Sequence, residues 1–274
     1  MLTNSIALMR EYRAKGRCLP AFNIYNLETV QAALDAARAE RLPVILAFGE
    51  NYLSHASFGT ISAIVRHLDA SHPFPVVLHL DHCKSVEHVK EAIAAGFTSV
   101  MYDGSRLPLE ENIRNTREVV QFAHDRGVSV EGELGGMNEE DGSGGEENLC
   151  FTDPGEARDY ARATGIDSLA VSVGNAHGVY KGEPKLDFDR LERIYGLAAL
   201  PIVLHGCSGI PLEDIRRASE IAVAKINVNT EIAMGAARRV RGELEAGVKR
   251  YEQLAAAARE EMTGIMETFL QLSK

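Results

Sequence analysis

The chain has 274 residues, 45% hydrophobic and 25% charged, with no tryptophan and a formal net charge of −10. This is the composition of a globular protein able to bury a core, and it excludes a chain that is disordered by default. The negative balance repels nucleic acid and anionic membranes over the whole surface, so no nucleic-acid partner is expected, and an anionic ligand has to be held by local backbone and metal charge.

The first sixteen residues carry charges in a helical pattern and lack the apolar stretch and cleavage site of a secretory signal, which predicts a cytoplasmic protein. No apolar run approaches the roughly 20 residues that span a bilayer, so no membrane partner is expected either. Eight short β-branched or apolar runs follow in order, at 19–23, 44–48, 76–80, 99–102, 129–133, 168–173, 202–204 and 225–228. Amphipathic stretches alternate with them, among others 27–40, 109–126, 154–164 and 212–222, each bounded by turn residues. Eight strand and helix units predict an α/β fold, a single (β/α)8 TIM barrel formed by residues 1–274.

Two further helices, 231–245 and 251–270, exceed what the barrel needs. They suit an oligomer contact, as in a homodimer or homotetramer, or packing on the barrel wall. The Gly-rich acidic stretch 135–147 reads as a mobile loop over one end of the barrel or as a merely solvated one. Cys18, Cys83, Cys150 and Cys207 are too scattered for a metal or redox motif and read as free thiols.

A barrel builds its active site at the carboxyl ends of its strands. Run three ends in His79-Leu80-Asp81-His82, run six in Gly174-Asn175-Ala176-His177-Gly178, and run seven in His205-Gly206-Cys207-Ser208-Gly209. Three imidazoles at one rim, with one position left open, make a catalytic zinc arrangement, because neutral nitrogen ligands leave the metal a strong Lewis acid. His55, His67, His72, His88 and His124 fall in helical stretches or their flanks and are assigned no role. His79, two residues before Asp81 on a strand, can face the same side and support that carboxylate. Asp103, Glu131 and Glu133 add carboxylates to the rim, able to position a ligand, accept a second cation or simply bond turn amides. The turn 206–209 and the segment 227–230 each lead into a helix, beyond strands seven and eight, where barrels favour phosphate.

Taken together, HLDH at 79–82, SVMYDGS at 99–105, SVEGELGG at 129–136, GNAHG at 174–178, LHGCSGI at 204–210 and KINVNTE at 225–231 resemble the class II fructose-bisphosphate and tagatose-bisphosphate aldolase family. The resemblance runs from about residue 4 to residue 231. It implies a zinc-dependent, reversible aldol cleavage of a phosphorylated ketose to dihydroxyacetone phosphate and an aldehyde such as glyceraldehyde 3-phosphate, with a sugar phosphate as the small-molecule partner. By position it makes His82, His177 and His205 the zinc ligands and Asp81 the acid/base for the hydroxyl proton. Asp103 and Glu133 become acidic groups that in some members hold a second divalent cation. Asn23, Gly178, Gly206, Cys207, Ser208, Asn227, Val228, Asn229 and Thr230 become the substrate-binding positions, with a monovalent cation assisting in some members.

The catalytic glutamate of the acidic loop corresponds to Glu139 or Glu140, and Gly49 stands where many members have serine. A Schiff-base aldolase would need an amine in the barrel, and Lys225 is the only strand lysine that could serve. Two other readings compete: a barrel metallohydrolase in which Asp81 activates a zinc-bound water, and a sugar-phosphate-binding protein without catalysis. An assay for ketose phosphate cleavage separates them from the aldolase, and the retention of Asp81 with three histidines weighs against a mere sensor.

Overall fold

The computed structural model describes residues 2–135, 151–176, 178, 180, 182 and 184–274. Eight parallel strands close into a barrel in sequence order. They are β1 (Leu19–Asn23), β2 (Val44–Gly49), β3 (Val76–Cys83), β4 (Ser99–Tyr102), β5 (Ser129–Leu134), β6 (Ser168–Val171), β7 (Ile202–Leu204) and β8 (Val223–Val228). Because helices cover the outside of a parallel barrel, its strands are buried on both faces, which is why they read as nearly unbroken apolar runs.

Side chains alternate across each strand. Phe22, Leu46, Leu78, Val100, Val130, Leu169 and Ile226 pack outward in the main core beneath the helices. Leu19, Ala21, Ile45, Ala47 and Val77 form a second cluster within the barrel, and Met101, Ala170 and Val203 a third.

The helices are α1 (Ser5–Ala14), α2 (Leu27–Glu40), α3 (Phe58–Asp69), α4 (Val86–Ala95), α5 (Leu109–His124), α6 (Pro154–Thr164), α7 (Phe188–Ala198), α8 (Leu212–Ile221), α9 (Thr230–Glu245) and α10 (Tyr251–Leu270). Side-chain caps start several of them: Asn26 with Thr29 in a capping box on α2, Ser57 on α3, Ser85 on α4 and Asp153 on α6. Helix α1 lies across the amino ends of the strands. Its Ser5 hydroxyl meets those of Ser99 and Ser129, the first residues of β4 and β5, at 3.1 and 2.9 Å, and its Tyr12 joins the cluster of Leu19, Ile45 and Val77. The opposite, carboxyl end is therefore the open one.

Helix α10 packs Met262, Met266, Phe269 and Leu270 into the main core and anchors Arg259 on Asp35 (2.9 Å) and Gln31 (3.0 Å) of α2, so packing on the barrel wall is one use of the C-terminal helices. Cys18, Cys83 and Cys207 are buried free thiols. Cys150 and residues 136–147 of the predicted loop lie outside the described residues. Among the described residues no helix is long and apolar enough to cross a membrane.

Two boundaries differ from the sequence-based expectation in a way that matters for the site. Strand β3 continues past residue 80 to Cys83, so Asp81 and His82 are strand residues and not part of the following turn, and β5 runs one residue beyond Glu133 to Leu134. Helix α5 stops at His124 and not at residue 126, because the chain turns at Gly127, which takes φ 71.

Candidate active site and metal centre

Strict alternation would send Asp81 and His82 to opposite faces of β3. The pairing of β3 with β4 slips between Leu80 and Cys83, and His82 takes φ 45, a left-handed conformation that is costly for a residue with a side chain. A bulge with such a residue re-aims one side chain. Both Asp81 and His82 thereby face the open mouth.

His82 Nε2 and His205 Nδ1 meet at 2.7 Å. Two ring nitrogens at that distance need a proton or a cation between them. On its other side His82 Nδ1 donates to Asp103 Oδ2 at 3.1 Å, and His205 Nε2 donates to Glu131 Oε1 at 2.9 Å. The two nitrogens that face each other are thus the ones placed to ligate a metal, and carboxylates fix both rings from behind. Burial disfavours a charged His82, but Asp81, the Asp103 hydrogen bond and Glu133 outweigh it and push the imidazole up to about 10. Burial, joined by the charge of His82, lowers His205 below its ordinary value.

Asp81 is buried at 3% exposure and receives two side-chain amides, Asn23 Nδ2 on Oδ2 at 3.0 Å and Asn227 Nδ2 on Oδ1 at 2.8 Å. Burial opposes its ionisation, yet the neighbouring His82, His205 and Lys225 hold its carboxyl well below the usual range. Asn23 and Asn227, expected at the substrate, are therefore also the residues that orient Asp81. Asp103 accepts the Ser105 amide at 3.2 Å and its hydroxyl at 2.6 Å, and with Glu133 and His82 it forms a second group of convergent metal-ligating atoms beside that of Asp81, His82 and His205. Glu133 Oε2 is buried 3.6 Å from His82 Nδ1 and accepts no hydrogen bond among the described residues. Burial, followed by the charge of Asp103, raises Glu133 well above its ordinary value. An orphaned buried carboxylate oxygen, two converging imidazole nitrogens and a rim of carboxylates fit a divalent cation.

The 174–178 segment is tied to the same rim. Gly174 has φ 104, and a Cβ there would come within 2.2 Å of the Lys185 carbonyl oxygen. Asn175 Nδ2 donates to the His205 carbonyl at 3.1 Å, while the Tyr180 hydroxyl accepts from the Ala176 amide at 2.8 Å and donates to the Gly206 carbonyl at 3.0 Å. His177 itself lies outside the described residues, as do Glu139 and Glu140. Gly174→Ala is expected to destabilise the protein by about 1–3 kcal/mol through backbone overpacking. A thermal melt checks this, and an unchanged melting temperature would contradict the close approach.

The two expected phosphate segments stand side by side. The Cys207 amide donates to the Asn227 carbonyl at 3.3 Å, and the Ser208 hydroxyl accepts from the Glu231 amide at 3.3 Å. Cys207 and Val228 are fully buried. Asn229 donates to the Tyr52 hydroxyl at 3.1 Å, a partner on the turn after β2 that the motifs did not indicate, and Thr230 opens α9. Gly178 and Gly206 take φ 85 and 63.

Glu131 is not a rim carboxylate. It lies deeper in the barrel, where Lys225 Nζ donates to both of its oxygens at 3.1 and 2.9 Å. Lys225 is 1% exposed and committed to that pair, which removes it as a Schiff-base candidate. His79 faces Lys225 and not Asp81. Burial, with the charge of Lys225, brings His79 down to about 3.

The sequence matches the family described as fructose-bisphosphate aldolase class-II over residues 3–274. A fructose-bisphosphate aldolase of Staphylococcus aureus strain Mu50 is 45% identical over 240 residues, covering 86% of this chain and 84% of the relative. One from Geobacillus stearothermophilus is 49% identical over 225 residues, covering 80% and 78%. Among solved structures, the YdjI aldolase from Escherichia coli K12 superposes with a TM-score of 0.90 at 33% identity, covering 99% of this chain and 97% of that one.

Proposed function

The chain belongs to the class II fructose-bisphosphate aldolase family and is an aldehyde-lyase, and on that premise we propose that it cleaves a 1-phosphorylated ketose of the fructose or tagatose 1,6-bisphosphate type. The products are dihydroxyacetone phosphate and an aldehyde, and His82, His177 and His205 would hold the zinc ion. The observation that carries this reading is the convergence of His82 Nε2 and His205 Nδ1 at 2.7 Å beside an Asp81 clamped by two amides. When bound, zinc supplies a Lewis acid for the negative charge that develops on the ketose oxygen during cleavage.

The chain's own residues do the rest. In the cleavage direction the ionised Asp81 accepts the proton of the C4 hydroxyl as the C3–C4 bond breaks and the aldehyde leaves. C3 then takes a proton, from Glu139 or Glu140, to give dihydroxyacetone phosphate. Asn23 and Asn227 keep Asp81 charged and aimed, since amide donors favour the carboxylate form. Asp103 and Glu133 are the residues for a second cation, a role supported by Glu133 Oε2, which accepts no hydrogen bond among the described residues. The backbones of 178, 206–208 and 227–230 receive the phosphate at the start of α9.

A panel of ketose mono- and bisphosphates, assayed on zinc-loaded enzyme with a coupled aldehyde readout, tests the proposal. Cleavage of the 1-phosphorylated ketoses only is the expected result. Equal turnover of unphosphorylated ketoses, or none of any ketose, would reject it. At the phosphate segments, Gly206→Ala is expected to raise KM about tenfold by displacing one charged hydrogen bond while leaving zinc in place. Alanine is preferable to valine because φ 63 strains a β-branched residue whatever the ligand. An unchanged affinity for dihydroxyacetone phosphate by calorimetry would remove this segment from the phosphate site.

A further inference from the structure

Behind the His205 ring the barrel interior is polar, where barrels of this architecture are usually filled by branched apolar side chains. His205 Nε2 donates to Glu131, Glu131 is held through both oxygens by Lys225 Nζ, and Nζ also reaches His79 Nε2 at 3.4 Å. His79 Nδ1 in turn donates to Ser99 Oγ at 2.8 Å, and Ser99 meets Ser5 at the floor of the barrel. None of these side chains belongs to a residue more than 3% exposed. The three ammonium protons of Lys225 are accounted for by two carboxylate oxygens and one imidazole nitrogen.

A buried ion pair is weak as a device for stability, because desolvating the two charges costs about as much as their attraction returns or more. Aiming a metal ligand is a different task. A histidine ligates well when its second nitrogen donates to a fixed carboxylate, which sets both tautomer and ring orientation. Lys225 Nζ, bonded to both oxygens of Glu131, leaves that carboxylate no freedom to turn away from His205.

We propose that Lys225 is a positioning residue of the metal centre, clamping Glu131 so that His205 donates from Nε2 and presents Nδ1 to the metal. The proposal rests on the reading of His205 as a ligand. Lys225 touches neither metal nor substrate in this scheme. It acts through Glu131 and His205, and His79, bonded to Ser99, fixes the third ammonium proton and so the direction of the clamp.

Zinc affinity, measured by competition with a chromophoric chelator, tests this in Lys225→Met and in the double variant Lys225→Met/Glu131→Gln, which leaves no unpaired buried charge and so guards against simple misfolding. Each folded variant is expected to bind zinc about 10- to 100-fold more weakly than wild type, with circular dichroism unchanged. A merely structural ion pair would lower the melting temperature and leave the zinc affinity of folded protein within twofold of wild type, a result that overturns the proposal alone. Zinc uptake by none of the proteins, wild type included, would overturn the metal centre as well. A further measurement needs no variant: nitrogen-15 spectra of histidine-labelled, metal-free wild type should place the His205 proton on Nε2. A proton on Nδ1 instead would overturn the clamp.

Discussion

His205→Ala is expected to empty the metal site and to reduce turnover by about 10³-fold or more, since a Lewis acid at the developing oxyanion supplies several kcal/mol of transition-state stabilisation. His205 is wholly buried between His82 and Glu131. Elemental analysis of the purified variant, with circular dichroism to establish that the barrel has folded, checks the first part, and the coupled assay the second. A folded variant that kept stoichiometric zinc would show that the metal is held elsewhere.

Asp81→Asn is expected to keep the metal and to lose turnover by about 10²- to 10⁴-fold, the usual range for removing a positioned acid/base group. The substitution preserves size but leaves a single acceptor oxygen for the amides of Asn23 and Asn227 and none that can take a proton. Retention of zinc is the informative half of the result. Asp81 lies close enough to His82 and His205 to be a ligand itself, and loss of metal with the carboxylate would give it that role in place of proton transfer.

The barrel was legible because its signal is periodic: eight apolar runs at strand length, separated by amphipathic stretches, admit few architectures. The rim was legible because barrels put chemistry at strand ends, and His82, His205, Asp103 and Glu133 do converge there. What the sequence concealed depends on backbone geometry and on depth. Nothing in HLDH announces that His82 adopts φ 45 and turns to the side of Asp81, because a bulge is created by the pairing with β4 and not by the residue. Glu131 and Glu133 differ by two positions, hence share a face, but one strand step separates a rim group from one buried beside Lys225. The same two-residue spacing joins Lys225 to Asn227 and His79 to Asp81. Read together, those three pairs mark two stacked polar layers, an upper one at the mouth and a lower one that supports it, which was the available signal for the Lys225 clamp.

Most directly decisive is solvent exchange into dihydroxyacetone phosphate, which isolates the deprotonation half of the reaction and does not depend on which aldehyde the enzyme accepts. In heavy water, followed by proton NMR, zinc-loaded enzyme is predicted to replace one hydrogen on the hydroxymethyl carbon, C3, with deuterium, and chelation is predicted to abolish the exchange until zinc is restored. Absence of exchange by the zinc-loaded protein, or exchange undiminished after the metal has been removed, would contradict the account.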